Sequence, residues 1–243
     1  IAAVRSQFPE AVCLALTATA TIHVREDIIH NLKLRTPSTF VASFNRENIY
    51  LEVRPKKDVL FQVINCIEKN KDESGIIYCF SRKQVDLLTE ELQQRGYSVL
   101  NYHAGLSDVQ RSKNQDLFIK DKVRIMVATV AFGMGINKPN VRYVIHYDMP
   151  KSLEEYYQEI GRAGRDGLPS QAILFYSAGD IHKIRFFFQE ASDPEKSEML
   201  LQGMITYAKS RNCRRHQLLS YFGETMPFSG EKNPYCCDIC SSD

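Results

Sequence analysis

Apolar residues along this chain fall into short blocks that switch between two periods. From residue 49 onward, runs of strand length are followed by helical stripes, and the rhythm repeats. Strand-like runs occupy 49–53, 75–80, 97–101, 123–129, 141–147 and 171–176. The run Gly75-Ile76-Ile77-Tyr78-Cys79-Phe80 is apolar throughout, as expected of a strand covered on both faces. Between the runs, Val59, Val63, Ile64 and Ile67 make one helical stripe, and Val85, Leu88 and Leu92 make another that stops at Gly96. Capping boxes at Ser81 to Gln84, Ser107 to Gln110 and Ser152 to Glu155 mark three helix starts. Such alternation implies right-handed crossovers and a parallel sheet. The predicted fold class is therefore α/β, a doubly wound parallel sheet. After residue 176 the pattern turns helical over 179–190, 194–210 and 214–222. Upstream, 11–16 reads as a short buried strand, 39–43 as another extended piece, and a helix between them carries Ile28, Ile29 and Leu32.

Ligands of such sheets bind outside the carboxyl ends of the strands. The chemically distinctive residues of this chain fall at those ends. Ser81 and Arg82 follow Phe80, His103 follows a strand ending near Asn101, and Thr129 opens a glycine-containing loop up to Pro139. Arg82 stands near a helix N-terminus, where the dipole disfavours a cation unless an anion neutralises it. The segment 158–167 carries Arg162 and Arg165 three apart between glycines. Three apart means one face if the segment is helical, and planar guanidinium pairs suit phosphate. A solvated helix end would show the same spacing. Gly133-Met134-Gly135 is no dinucleotide fingerprint, because the third glycine would fall at Lys138.

Six segments together resemble the RecQ family of superfamily 2 DNA helicases, in its bacterial form, over about residues 11–240. They are Leu16-Thr17-Ala18-Thr19-Ala20; Ser81-Arg82; Tyr102-His103-Ala104-Gly105-Leu106; the loop from Thr129 to Pro139; Gln158 through Gly167; and the cysteine segment ending Cys237-Asp238-Ile239-Cys240. The resemblance implies two RecA-like lobes closing on ATP and stepping 3′ to 5′ along DNA, single-stranded or at a fork, in repair, recombination and replication. It implies arginine fingers at Arg162 and Arg165 with Gln158 ordering the site. It places Gly135 and Asn137 beside ATP, and Ser81, Arg82, His103 and Thr129 on DNA. It divides the chain into the end of a first RecA-like domain (1–45), a second RecA-like domain (46–178) and a helical zinc-binding subdomain (179–243). The segment from Phe44 to Asn48 reads as the linker between the two domains, and Asn45, Glu47, Asn137 and Asn140 depart from the usual family residues.

Composition adds less. The net charge is only +2, so a nucleic-acid footprint must be local. No apolar run approaches the length of a membrane span. The start at Ile1, without Met, reads as an excised fragment; the expected compartment is cytoplasm with the nucleoid, or nucleus in a eukaryote. Of seven cysteines, Cys13, Cys66 and Cys79 lie in apolar segments and are expected in the core. Cys213, Cys236, Cys237 and Cys240 cluster near the end, a pattern that suggests metal before disulfides without an export signal. Four thiolates suit a closed structural Zn²⁺ site. Adjacent Cys236 and Cys237 depart from the family spacing and predict backbone strain, with His216 or solvent as an alternative fourth ligand and a Cys237–Cys240 redox pair as a further one. Lys209, Arg211, Arg214, Arg215 and His216 surround Cys213 as a basic cluster, either a solvated face or a phosphate-facing one. No Gly-x-x-x-x-Gly-Lys-Ser/Thr string and no Asp-Glu-x-His segment occurs. ATP and Mg²⁺ would therefore be held mostly by a first domain, and the expectation is that this chain alone hydrolyses no ATP. The competing class is a non-catalytic, zinc-containing nucleic-acid-binding module.

Overall fold

The computed structural model describes residues 4, 7–8, 10–133, 136–188, 192–225 and 235–241. Its centre is a six-stranded, wholly parallel sheet built from β1 (Ile49–Pro55), β2 (Ser74–Tyr78), β3 (Val99–Tyr102), β4 (Ile125–Ala128), β5 (Val141–His146) and β6 (Ser170–Tyr176). The spatial order is β1-β6-β5-β2-β4-β3. Helix α1 (Ile22–Asn31) precedes the sheet. The crossovers contain α2 (Val59–Lys69), α3 (Arg82–Gln94), α4 (Asp108–Ile119) and α5 (Leu153–Ile160). Three helices follow: α6 (Ala178–Phe188), α7 (Pro194–Lys209) and α8 (Arg214–Tyr221).

The period-two logic of the central strands explains the layering. Ile76, Met126, Val144 and Leu174 face one buried cluster, while Ile77, Val127, Ile145 and Ile173 face the other. Every residue of β2, β4 and β5 is buried, which is why Gly75–Tyr78 and β4 read as continuous apolar runs, while β5 also buries Arg142 and His146. The three predicted N-caps form. Ser81, Ser107 and Ser152 each accept a bond at 3.2 Å from the backbone N–H three residues on. The reciprocal bond of a capping box is not made among the described residues; at Ser152, Glu155 instead accepts from Lys151 N–H, one residue before the cap, at 3.0 Å. The helix after Ser81 stops as expected, with Gly96 at φ +85°.

Two upstream expectations fail. Residues 11–16 and 39–43 form no strand, and Val12, Leu14, Leu16 and Phe40 are exposed. An apolar run becomes a strand only where a neighbour takes its backbone bonds, and among the described residues no strand runs beside either. Cys13 is accordingly half-buried, whereas Cys66 and Cys79 are core thiols. Helix α1 forms on its Thr21 cap but buries none of its residues.

The helical region docks against the outer edge of the sheet. Leu51 N–H donates to Cys236 O at 3.2 Å and Asp238 N–H to Leu51 O at 3.0 Å, so the cysteine turn covers the free edge of β1. Phe44 stacks on Phe222 with centroids 4.6 Å apart, and Tyr157 on α5 donates to Phe44 O at 2.9 Å. The short segment 44–48 is thereby wedged between sheet and helices.

Candidate functional site

The arginine segment is not helical. Helix α5 ends at Ile160 and residues 161–167 form a succession of turns, with Gly164 at φ +54° and Gly167 at φ +81°. Arg162 and Arg165 still point to one place. Arg162 donates to Gly133 O, and Arg165 donates to Ile136 O at 2.6 Å, so both lie against the loop after β4. Gly133, at φ +140°, explains the fit: a Cβ there would sit 2.0 Å from the Arg162 guanidinium carbon. Asn137 is exposed beside this contact, while Asn140 is turned away to Asp121 at 3.3 Å. Gly135 lies outside the described residues. Gln158 donates to Thr19 Oγ1 at 3.0 Å, joining the arginine motif to the Thr-Ala segment upstream.

A third arginine completes the group. Arg46 donates to Gly161 O at 3.2 Å, Ala163 O at 2.8 Å and Gly164 O at 3.0 Å, and Asn48 adds a bond to Gly164 O at 2.8 Å. Burial, then Arg162 and Arg46, push the Arg165 guanidinium below its usual range. The buried Nε of Arg162 has no hydrogen-bond partner among the described residues. Cations crowded in this way, with a donor left over, are what an anion such as phosphate would relieve. The linear pattern assigns Arg46 only to a linker; its spacing from 161–164, over a hundred residues away, gives no local signal.

The nearest buried carboxyl offers little counter-charge. Glu159 is raised to about 8 by burial, and His146, 2.7 Å away, is lowered to about 3, also by burial. Folded, this pair holds one proton from about pH 3 to about pH 8; unfolded, its groups titrate near 4.5 and 6.5. Between 4.5 and 6.5 the two states bind similar numbers of protons. Above 6.5 the folded state binds more, so stability falls as pH rises to 8, at about 1.4 kcal/mol per unit at most. Below 4.5 the unfolded state binds more, and stability falls again towards pH 3. Urea unfolding across pH 6–8.5 should show the alkaline decline, and Glu159→Gln should flatten it; a slope equal in both proteins would contradict the shared proton.

The predicted DNA residues divide. Ser81, Arg82 and Thr129 line one cleft of about 350 Å³ at the carboxyl ends of β2 and β4, with Lys151 on its rim and His146 and Glu159 in its wall. Arg82 is exposed, and no carboxylate pairs with it among the described residues. His103 is buried, its Nε2 2.9 Å from Asp86 and its Nδ1 accepting from Gly105 N–H at 3.1 Å. Both ring nitrogens are thus engaged within the chain, and the imidazole shapes the 103–106 loop. A lone histidine in the sequence cannot reveal that its partners lie on a neighbouring helix.

The four C-terminal sulfurs converge. Cys213, Cys236, Cys237 and Cys240 lie within 4.8 Å of one another, and Cys213 is 3.7 Å from Cys236 and 3.9 Å from Cys237. Zinc–sulfur bonds of about 2.3 Å in a tetrahedron require sulfur–sulfur edges of about 3.8 Å, so the donor set fits Zn²⁺. Arg215 Nε donates to Cys236 Sγ at 3.2 Å and Arg214 N–H to Cys237 Sγ at 3.4 Å, outer donors of the kind that spread thiolate charge. The expected backbone strain is not found: neither adjacent cysteine has a positive φ. His216 is exposed and outside the cluster. The basic run also resolves against a phosphate-facing role for two members. Arg214 and Arg215 are buried, Arg214 on Asp238 at 2.9 Å and Tyr207 O at 2.7 Å.

A RecA-like lobe with an arginine loop at its open edge and a four-thiolate knuckle on its flank defines a helicase C-terminal lobe joined to a zinc-binding subdomain. Residues 55–167 match the family described as helicase conserved C-terminal domain, and residues 178–241 match RecQ zinc-binding. The chain belongs to the RecQ family of helicases. It is 45% identical over 239 residues to the "ATP-dependent DNA helicase RecQ" of Pasteurella multocida, covering 97% of this chain and 37% of that protein. It is likewise 45% identical to the "RecQ-like DNA helicase BLM" of Xenopus laevis, over 97% of this chain and 18% of that one. The chain thus spans well under half of these relatives. Among solved structures, yeast Dbp5 bound to RNA and ADP BeF3 superposes with a TM-score of 0.63 at 20% identity, over 86% of this chain and 58% of that one, which shows the fold. No described helix is long and apolar enough to cross a membrane.

Proposed function

We propose that this chain is the second motor lobe and zinc-binding subdomain of an ATP-dependent helicase that moves 3′ to 5′ on DNA and separates strands in repair, recombination and replication. The observation that carries the reading is the convergence of Arg162 and Arg165 on the loop after β4, with Arg46 holding the turns that carry them, while no carboxylate pairs with these guanidinium groups among the described residues. Arg162 and Arg165 face the γ-phosphate of ATP, where a guanidinium stabilises charge developing during phosphoryl transfer. Asn137 and Gly135 border the nucleotide, and Gln158 with Thr19 carries its state towards the strand track. Ser81, Arg82 and Thr129 hold DNA phosphates along the cleft, with the 103–106 loop as its wall; the His103 side chain supports that loop from within. Residues 1–45 close a first RecA-like lobe, 46–178 form the second and 179–243 the subdomain. The exposed apolar side chains of Val12, Leu14, Leu16 and Phe40 suit burial against the remainder of that first lobe. ATP and Mg²⁺ are held mainly by the first lobe. The compartment follows the DNA: nucleoid in a bacterium, nucleus in a eukaryote.

The test joins this chain to a RecQ-type first lobe. The chain alone is expected to hydrolyse no ATP, and the joined protein to hydrolyse it with DNA stimulation and unwind duplexes bearing a 3′ single-stranded tail. Unwinding only from 5′ tails would overturn the polarity, and no turnover in the joined protein would favour a non-catalytic binding module.

A further inference from the structure

Arg215 occupies an unusual position for a buried cation. It is 5% exposed, and no carboxylate pairs with it among the described residues. Instead its fork is spread over three parts of the fold. Nε donates to Cys236 Sγ at 3.2 Å; Nη1 donates to Arg46 O at 2.6 Å and Asn45 Oδ1 at 3.1 Å; Nη2 donates to Ile49 O at 2.7 Å. A buried guanidinium needs a compensating charge. The four-thiolate set supplies one, because four thiolates around a divalent ion leave a net negative charge, whereas neutral thiols do not.

The contacts continue beyond Arg215. The residue whose carbonyl it holds, Arg46, clamps Gly161, Ala163 and Gly164 through its own side chain. Those carbonyls belong to the turns that aim Arg162 and Arg165. The path from Cys236 to the arginine loop therefore needs only two side chains, each with a planar donor fork of fixed geometry. Other bonds from the helical subdomain reach Phe44 N–H, through Glu224 at 2.7 Å, and Glu154 on α5, through Tyr221 at 2.7 Å, but among the described residues only Arg215 bonds to Arg46, whose side chain holds the arginine turns.

We propose that Arg215 is a positioning residue for the arginine loop: it couples metal occupancy of the four-cysteine site, through Arg46, to the placement of Arg162 and Arg165. The coupling deepens the helicase reading and rests on it for its functional meaning, but its physical content is measurable without any turnover. Zinc occupancy sets the charge that Arg215 faces; Arg215 sets the height of the 45–49 segment; Arg46 fixes the turns at 161–164. An oxidised or metal-stripped knuckle would then loosen the arginine loop without touching it.

The experiment is amide hydrogen exchange on the zinc-loaded chain, with zinc content measured in parallel. The reporting amides are internally bonded in the native fold: Ala163 to Ile160 O at 3.0 Å and Gly164 to Val141 O at 2.8 Å. Arg215→Lys keeps a positive charge near Cys236 but cannot span to Arg46 and Ile49 at once. It is expected to retain one zinc per chain, while exchange in 161–167 rises about tenfold or more and β2 and β5 are unchanged. Zinc removal from the wild type by a chelator should raise exchange in the same segment, and Arg46→Ala should do so with zinc bound. In Arg215→Lys, chelation should add little more in that loop. Should Arg215→Lys fail to fold, the wild-type chelation and Arg46→Ala arms still decide. Unchanged exchange at 161–167 in a zinc-bound Arg215→Lys chain overturns the proposal, as does chelation that loosens the loop equally in wild type and variant. Either result leaves the helicase reading intact, whereas failure of the joined-lobe assay leaves this coupling measurable.

Discussion

Arg165→Ala, in a protein joining this chain to its first lobe, is expected to lower DNA-stimulated ATP turnover by about 10³- to 10⁵-fold while leaving single-stranded DNA binding within about twofold. The reasoning is geometric. Arg165 is exposed overall with its guanidinium partly desolvated, and among the described residues its side chain makes one bond, to Ile136 O, so its removal takes away charge without collapsing a core. It stands on the loop proposed to face the nucleotide, and it does not line the cleft formed by Ser81, Arg82 and Thr129. Arg165→Lys should recover little, since an ammonium cannot replace a planar two-toothed donor. Steady-state kcat with saturating DNA, set beside fluorescence anisotropy of a labelled oligonucleotide, reads both effects. A kcat within tenfold of wild type would remove Arg165 from the chemistry. Arg162→Ala is a less clean probe, because its guanidinium also packs over Gly133.

Cys237→Ser should abolish metal binding, from one zinc per purified chain to near none, and so should Cys236→Ser; His216→Ala should keep one. Structural zinc in small domains contributes on the order of 10 kcal/mol to their folding. Here the knuckle is also held by the Arg214–Asp238 pair and by the bonds to Leu51, so the α7–α8 region is expected to loosen, with the sheet remaining folded. Elemental analysis gives the metal count, and exchange in 194–222 gives the loosening. Full zinc in Cys236→Ser would return the fourth position to another group. Zinc lost in His216→Ala would show that the convergence of four sulfurs is not the binding site.

The sheet is legible in the linear pattern because its cause is local and repetitive. Buried parallel strands must be apolar on both faces, and helices announce themselves by capping serines, so the alternation from 49 to 176 carries its own topology. The cysteines are legible for a similar reason, since four thiols grouped in one short segment suit few uses besides holding a metal. The misplaced strands at 11–16 and 39–43 mark the limit of that reasoning: apolar character says what a segment could join, not whether a partner is beside it.

What the linear pattern does not hold are relations between distant residues. Arg46 reads as part of a linker, and Arg214 and Arg215 as members of a solvated or phosphate-facing cluster, although all three are spent on backbone carbonyls, a carboxylate and a thiolate inside the fold. His103 carries a motif but turns inward. Composition and periodicity by themselves determined the parallel sheet and the edge where its distinctive residues gather, and singled out the cluster of four cysteines, because short-range spacing and residue chemistry suffice for those; the role of the arginine pair came from the family resemblance, since a solvated helix end has the same spacing. Only the tertiary structure decided which cations face outward and which serve as braces, because a guanidinium's role depends on the acceptors that a fold brings within hydrogen-bond reach of it, and the backbone carbonyls that join Arg46 to the arginine turns and Arg215 to Arg46 and Ile49 lie more than a hundred residues away.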